Sequence, residues 1–343
     1  MNVLVTGGTG FLGQRLALRL QALGDRVTVL GRNAAIGNRQ EQAGLRFVQA
    51  DLRDEAAVAA ACQGQDGVFH SGALSSPWGD YQTFYNTNVL GTRHVVQGCL
   101  KHGVSRLVHV STSAVYFTFA DQLQIPESMP FPKPVGAYAR SKQLAEAEVQ
   151  QGQRQGLSTL TIRPRGIFGP GDTTILPRLL AASDRTGIPL IRQGQAVLDM
   201  TYIDNVVEAL CRCCEVPDAL SGRVYNISNG EPTALSDLLM RLSQQLEQSL
   251  KFKPMPFAVA FGLAAGMEAT AKLFSRGEPM LTRYTVGLLT FSQTLSIEAA
   301  VNELGYRPQI SLDEGIARFA EGWERAKGKR GKGKRRKGKE GKG

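Results

Sequence analysis

The chain has 343 residues, 42% of them apolar and 20% charged, with a net charge of +10. That length carries one large domain or two modest ones with ample core, and no apolar run reaches the ~18 residues that a membrane span needs. Five cysteines without framework spacing exclude a disulfide scaffold and predict an intracellular, cytoplasmic protein. A first strand beginning at Asn2, with no secretory signal before it, predicts the same.

The charge is unevenly placed. Residues 327–343 hold seven Lys, three Arg and one Glu, so the tail carries +9 and the body +1. A Lys/Gly tail has nothing to bury and is predicted to be disordered. It either only solubilises the chain or adds a peripheral contact with anionic membrane. The body has no aromatic-interleaved basic patch, so no specific nucleic-acid partner is expected. "CRCC" (residues 211–214) falls in a helical pattern without a histidine and reads as packed thiols, with no metal.

In chain order, "NVLVT" (Asn2–Thr6) predicts a buried strand and residues 11–24 an amphipathic helix with Leu12, Leu16, Leu20 and Leu23 on one face. Between them lies "TGGTGFLG" (residues 6–13). Free N–H groups at such a helix start, with the positive dipole end, favour an anion. Gly7 serves the tight turn, Gly10 a close approach to a pyrophosphate, and Gly13 the packing of helix on strand. A glycine turn without a ligand is the alternative. Further strands are read at residues 26–31, 45–51, 67–73, 105–113 and 157–164. Helices are read at 55–62 and through "NVLGTRHVVQGCLKHG". This alternation predicts an α/β fold, a doubly wound parallel sheet of the Rossmann type with helices on both faces.

After about residue 170 the pattern becomes irregular. The expected organisation is a nucleotide-binding domain over 1–170, a substrate-capping lobe over 171–326 interleaved with returns to the main fold, and the tail over 327–343. Within the lobe, "PFAVAFGLAAGM" (residues 256–267) is too short to span a bilayer. It reads as a core helix, the wall of an apolar pocket, or a membrane-surface dock.

"YARSK" places Tyr138 and Lys142 one helical turn apart. An ammonium beside a phenol lowers the phenol's pKa, so that it can exchange a proton with a carbonyl or alcohol. Alone, this spacing also fits a surface pair. "STSAVY" (residues 111–116), at the end of the fifth predicted strand, supplies hydroxyls for the reacting oxygen.

Together with "ADL" (50–52), "VFHSGA" (68–73), "NTNVLGT" (86–92), "IRPRGIFGPGD" (162–172) and "TYIDNVVEA" (201–209), these motifs make the chain resemble an extended short-chain dehydrogenase/reductase. The resemblance is to the epimerase/dehydratase superfamily, in its 3β-hydroxysteroid dehydrogenase-like branch. It covers nearly all of the chain before the tail. It implies Tyr138 as general acid/base, Lys142 as the residue that tunes it and holds a nicotinamide ribose, and Thr112 as the catalytic hydroxyl, with Ser111 and Ser113 as neighbours. It places cofactor contacts at Gly7, Thr9, Gly10, Phe11, Leu12, Gly13, Arg32, Asp51, Leu52, Ser71, Gly72, Ala73, Asn88, Tyr138, Lys142 and Pro164. A homodimer is the family expectation. This sequence departs from the pattern at Gly72 and lacks the glycine that often follows Tyr116.

The cofactor is read from the end of the second strand. A carboxylate there would bond an NAD ribose; the chain has Gly31 and then Arg32, which favours NADP(H), with NAD(H) as the alternative. The resemblance and the apolar segment point to an oxidoreductase interconverting a secondary alcohol and a ketone on an apolar substrate, either a steroid or a long-chain 2-alkyl-3-oxo acid. Ser75, Trp78 and Thr112 are its expected contacts. A nucleotide-sugar epimerase or dehydratase is the second reading. It is opposed by Leu198, which stands where such enzymes carry a phosphate-holding arginine. A noncatalytic NADP(H) sensor is the third, opposed by the intact Thr112, Tyr138 and Lys142.

Overall fold

A computed structural model describes residues 1–274 and 277–340. Seven strands form the main sheet: β1 (Asn2–Thr6), β2 (Arg26–Gly31), β3 (Arg46–Gln49), β4 (Gly67–His70), β5 (Arg106–Val110), β6 (Ser158–Pro164) and β7 (Val224–Ile227). Their spatial order is β7-β6-β5-β4-β1-β2-β3, and every neighbouring pair is parallel. The order reverses between β1 and β4. The crevice beyond their carboxyl ends is where doubly wound sheets bind ligands.

Both faces of the sheet are covered, so its strands are apolar throughout. In β1, Val3 and Val5 pack into one layer with Leu16 and Leu20 of α1 (Phe11–Ala22). Leu4 points the other way, into a layer with Val58, Cys62, Val95 and Cys99. The remaining helices of eight residues or more are α2 (Ala34–Gln42), α3 (Glu55–Cys62), α4 (Gly91–His102), α5 (Gly136–Arg154), α6 (Leu176–Arg185), α7 (Ile203–Glu215), α8 (Leu235–Gln245), α9 (Phe257–Leu273), α10 (Arg283–Thr290) and α11 (Leu312–Glu340).

Three strands end earlier than the sequence predicts, at Gln49, His70 and Val110. The small and polar residues that follow each one leave the sheet and form the crevice wall. The long helix read over residues 88–103 begins in a π-helical stretch, Tyr85–Leu90, of a kind that often marks functional sites, and continues as α4. Strand β7, "VYNI", was not read from the sequence. It joins the sheet beside β6, while α7 packs in the layer that holds α1. The second half of the chain thus returns to the main fold. Its other pieces include a four-stranded sheet of Thr233–Ala234, Val197–Leu198, Gln293–Leu295 and Gln122–Ile125.

The CRCC thiols lie on α7; Cys211 and Cys213 are buried, and burial raises the pKa of all three thiols. Among the described residues no helix is long and apolar enough to cross a membrane. Helix α11 runs to Glu340, so the backbone described for most of the tail is helical where the sequence predicts disorder. A helix already anchored at residues 312–326 extends without a new nucleus, and Lys and Arg are good helix formers. Residues 341–343 lie outside the described residues.

Candidate active site

The turn after β1 is built for close approach. Gly7 has φ +68°, and a Cβ there would lie 2.6 Å from Gly72 Cα in the turn after β4. A Cβ on Gly13 would overlap the Gly7 carbonyl. Gly10 N–H closes the turn onto Gly7 O at 2.8 Å, and no side chain caps α1. The first N–H groups of α1 are therefore left for a ligand. These glycines form a cradle that side chains would fill, and it fits the pyrophosphate of a dinucleotide.

The cradle opens into a cavity of about 1300 Å³. Gly7, Thr9, Gly10, Phe11, Leu12, Gly13, Arg32, Asp51, Leu52, Ser71, Gly72, Ala73 and Pro164 line it, as do Ser75, Thr112, Tyr138 and Lys142. Two expected contacts stand off this wall. Asn88, on the π-helical stretch, is buried behind it. Its amide bonds the Leu74 backbone N–H (2.7 Å) and carbonyl (3.0 Å) and the Ser141 hydroxyl (2.9 Å), so it holds the loop after β4. Trp78 packs beside the Lys272 ammonium, 5.8 Å from its ring centre, while its neighbours Ser75, Ser76 and Pro77 face the cavity.

Tyr138 and Lys142 rise from the first turns of α5. Thr112 caps the short 3-10 turn after β5 and is hydrogen-bonded to Tyr138. The electrostatics differ from the sequence expectation. Burial pushes the Tyr138 phenol up to about 12, against the opposing hydrogen bond from Thr112. Burial also brings Lys142 down to about 8. The ammonium donates to Val110 O (2.9 Å) and His109 Nε2 (3.3 Å). Burial therefore sets the phenol's protonation, while the Lys142 ammonium is engaged with Val110 and His109. A phenol held protonated suits proton donation to a carbonyl oxygen.

Polar groups support the site from behind. His70 bonds Thr6 Oγ1 (2.7 Å) and Thr92 Oγ1 (2.9 Å), and burial lowers it to about 3. Ser111 borders the cavity, but its hydroxyl donates to Glu146, which pairs with Arg163 in two hydrogen bonds of 2.9 and 2.6 Å. Ser113 meets the site through its backbone, its carbonyl accepting from Gln293 Nε2 at 3.5 Å. Thr112 is thus the hydroxyl of this trio that meets Tyr138. Sequence reasoning missed Arg165, Asp199 and Tyr284, which also line the cavity. At the adenine end, Asp51 is held at about 2 chiefly by a hydrogen-bonded Arg53, with Arg32 3.6 Å away. The described residues contain no cluster of His, Cys, Asp and Glu able to hold a metal.

Residues 3–228 match the NAD dependent epimerase/dehydratase family. The chain belongs to that family. A 2-alkyl-3-oxoalkanoate reductase of Stenotrophomonas maltophilia is 35% identical, with 93% of this chain and 98% of the relative aligned. A 3beta-hydroxysteroid-dehydrogenase/decarboxylase of Arabidopsis thaliana is 32% identical over 94% of this chain and 80% of its own. A mouse sterol-4-alpha-carboxylate 3-dehydrogenase, decarboxylating, is 28% identical over 94% and 91%. UDP-glucuronic acid 4-epimerase from Bacillus cereus, solved with NAD, shares the fold, with a TM-score of 0.77 at 19% identity over 95% of this chain and 99% of that one.

The protein is an NAD(P)-dependent oxidoreductase acting on a CH–OH or keto group. A bound nicotinamide supplies or accepts hydride. The glycine turn would hold the diphosphate of such a cofactor, and Thr112 and Tyr138 line the cavity into which that turn opens.

Proposed function

We propose that the protein is an NADP(H)-dependent ketoreductase for a long-chain or polycyclic apolar substrate, such as a 2-alkyl-3-oxo acid or a 3-oxosterol. One observation carries this reading. The cavity that holds Thr112 and Tyr138 is also walled by Leu179, Leu238, Leu263, Met267, Leu281, Leu288 and Leu289. These come from α6, α8, α9 and α10 and the segment before α10, which together make an apolar chamber against the proton donor. Leu198, also on the wall, offers no charge to a sugar-nucleotide diphosphate.

The cofactor preference rests on β2. A Cβ on Gly31 would overlap Thr9, so no carboxylate fits where NAD-binding enzymes place one, and Arg32 stands beside the same wall with its side chain 67% exposed. The test is NADPH oxidation with 2-alkyl-3-oxo acids, 3-oxosterols and UDP-sugars. Turnover of an apolar ketone with NADPH preferred supports the reading, and turnover restricted to UDP-sugars overturns it. Size-exclusion chromatography with light scattering tests the homodimer that the resemblance carries.

A further inference from the structure

Two arginines two residues apart meet opposite fates. Arg163, at the end of β6, is fully partnered: Glu146 takes its Nε and one amino group, and Tyr116 the other. Arg165 follows Pro164 at the carboxyl end of the same strand. Its backbone is pinned on both sides, N–H to Ile227 O at 3.0 Å and carbonyl to Thr201 Oγ1 at 2.5 Å. Its side chain is 8% exposed and lines the cavity with Tyr138 and Thr112. Among the described residues its only side-chain hydrogen bond is Nε to Gln293 O at 3.4 Å, and no carboxylate lies within ion-pairing distance.

A buried guanidinium without a counter-ion is costly unless something completes it. Asp199 is the nearby acid and its charge attracts the guanidinium, yet the two make no ion-pair contact. One of its oxygens accepts the Leu295 N–H at 2.7 Å, and the other is buried with no partner. Tyr284 lines the same cavity as Arg165 and Tyr138, so the guanidinium and the proton donor face one chamber. Arg178, on the same wall but exposed, is already clamped by Glu278.

We infer that Arg165 is the anchor for a substrate carboxylate, so that the substrate is an apolar acid whose carboxylate sits on the carbon next to the reacting carbonyl. A planar guanidinium with free N–H groups binds a carboxylate through two hydrogen bonds, a geometry that lysine does not offer. Anchored there, the acid fixes which face and which carbon of a long flexible substrate meets Tyr138, a task that apolar walls alone perform poorly. This rests on the ketoreductase reading of the same cavity. The names of the Stenotrophomonas and mouse relatives both place a carboxylate one carbon from the reacting carbon.

The test compares 2-hexyl-3-hydroxydecanoic acid with its methyl ester as substrates for the NADP+-loaded enzyme, run as wild type, Arg165→Met and Arg165→Lys. In wild type the acid is preferred. Arg165→Met lowers the acid-to-ester ratio of kcat/KM by about 10- to 100-fold, with the loss in the KM of the acid, and Arg165→Lys recovers part of it. A ratio unchanged by Arg165→Met, or acid and ester falling by one factor, overturns the anchor while leaving the ketoreductase reading intact. If wild type turns over neither compound, that reading fails for this substrate class. Calorimetric binding of 2-hexyldecanoic acid then decides the anchor alone: loss of binding in Arg165→Met supports it, and equal binding overturns it.

Discussion

The Thr9 side chain occupies the space that a side chain on Gly31 would need, so an acidic residue at the end of β2 would have to displace it. The proposed preference for NADP(H) therefore rests on Arg32, beside Asp51. Arg32→Ala is expected to weaken NADP(H) by about 10- to 150-fold, the worth of one charge-assisted contact, and NAD(H) by much less. Dissociation constants for both cofactors, from protein-to-NAD(P)H fluorescence transfer, check this. Equal weakening of the two would make Arg32 a stacking residue.

Tyr138→Phe removes the phenol hydroxyl and little else, since the ring keeps its contact with Phe84 at 6.2 Å between centres. Turnover is expected to fall by about 100-fold or more, with cofactor affinity and melting temperature nearly unchanged. The phenol stays protonated to about 12, so the reductive direction should show no loss of Tyr138 protonation across pH 6–9. A variant with near-normal turnover would remove Tyr138 from the chemistry.

Much of this site was legible in the sequence because its constraints are local. Gly7, Gly10 and Gly13 are demanded by one turn, and Tyr138 and Lys142 by one helical spacing. What stayed hidden depends on contacts between distant segments. Asp199 and Gln293 come together only through the small sheet in which the strands Val197–Leu198 and Gln293–Leu295 pair. Asn88 carried a motif signal, yet its amide serves the backbone of Leu74, a role no spacing reveals. Arg165 left one trace, a charged residue within "IRPRGIF" where its neighbours are buried. Burial of a charge is a tertiary fact, so the trace could not be read from the chain alone.

Behind the site, Glu146 and Arg163 form an ion pair with side chains 2% and 5% exposed. Ser111 and Tyr116 complete their hydrogen bonds. Glu146→Gln keeps the shape but leaves the guanidinium with an amide. Breaking one side of a buried pair costs about 3–5 kcal/mol. A shift of that size in urea unfolding is expected, with kcat lost only through the unfolded fraction. A change below about 1 kcal/mol would show that the pair is solvated.

His70 gives the protein an acid-sensitive core. It faces Thr6, Thr92, the His109 ring at 5.2 Å and the Lys142 ammonium. Its folded pKa of about 3 lies below the ordinary 6.5, so between those values the unfolded chain holds a proton that the folded chain does not. Stability from this group is therefore full above pH 6.5 and is lost as pH falls toward 3, at up to about 1.4 kcal/mol per pH unit. Unfolding free energies at pH 7, 6 and 5 should fall more steeply for wild type than for His70→Gln. Parallel slopes would assign the acid sensitivity to other groups.

The basic tail and the apolar helix α9 together suit an anionic membrane surface. Val259, Leu263 and Leu273 of that helix are 50, 52 and 77% exposed, and Leu263 also lines the cavity. The surface beside the substrate chamber is thus apolar, while residues 327–343 bring a charge of +9. Each basic residue near an anionic surface contributes up to about 1 kcal/mol, screened by salt, and exposed leucines add a term that salt does not screen. The full chain is expected to bind vesicles containing phosphatidylserine at low ionic strength and to release as salt rises. Truncation after Ala326 should reduce binding by at least 10-fold at low salt. The melting temperature should move by less than about 2 °C, because exposed charges contribute little to stability. Leu263→Glu in the full chain should lower the binding that survives at high salt. Vesicle binding unchanged by truncation would separate the tail from the membrane. A clear fall in melting temperature would show instead that the tail packs on the body.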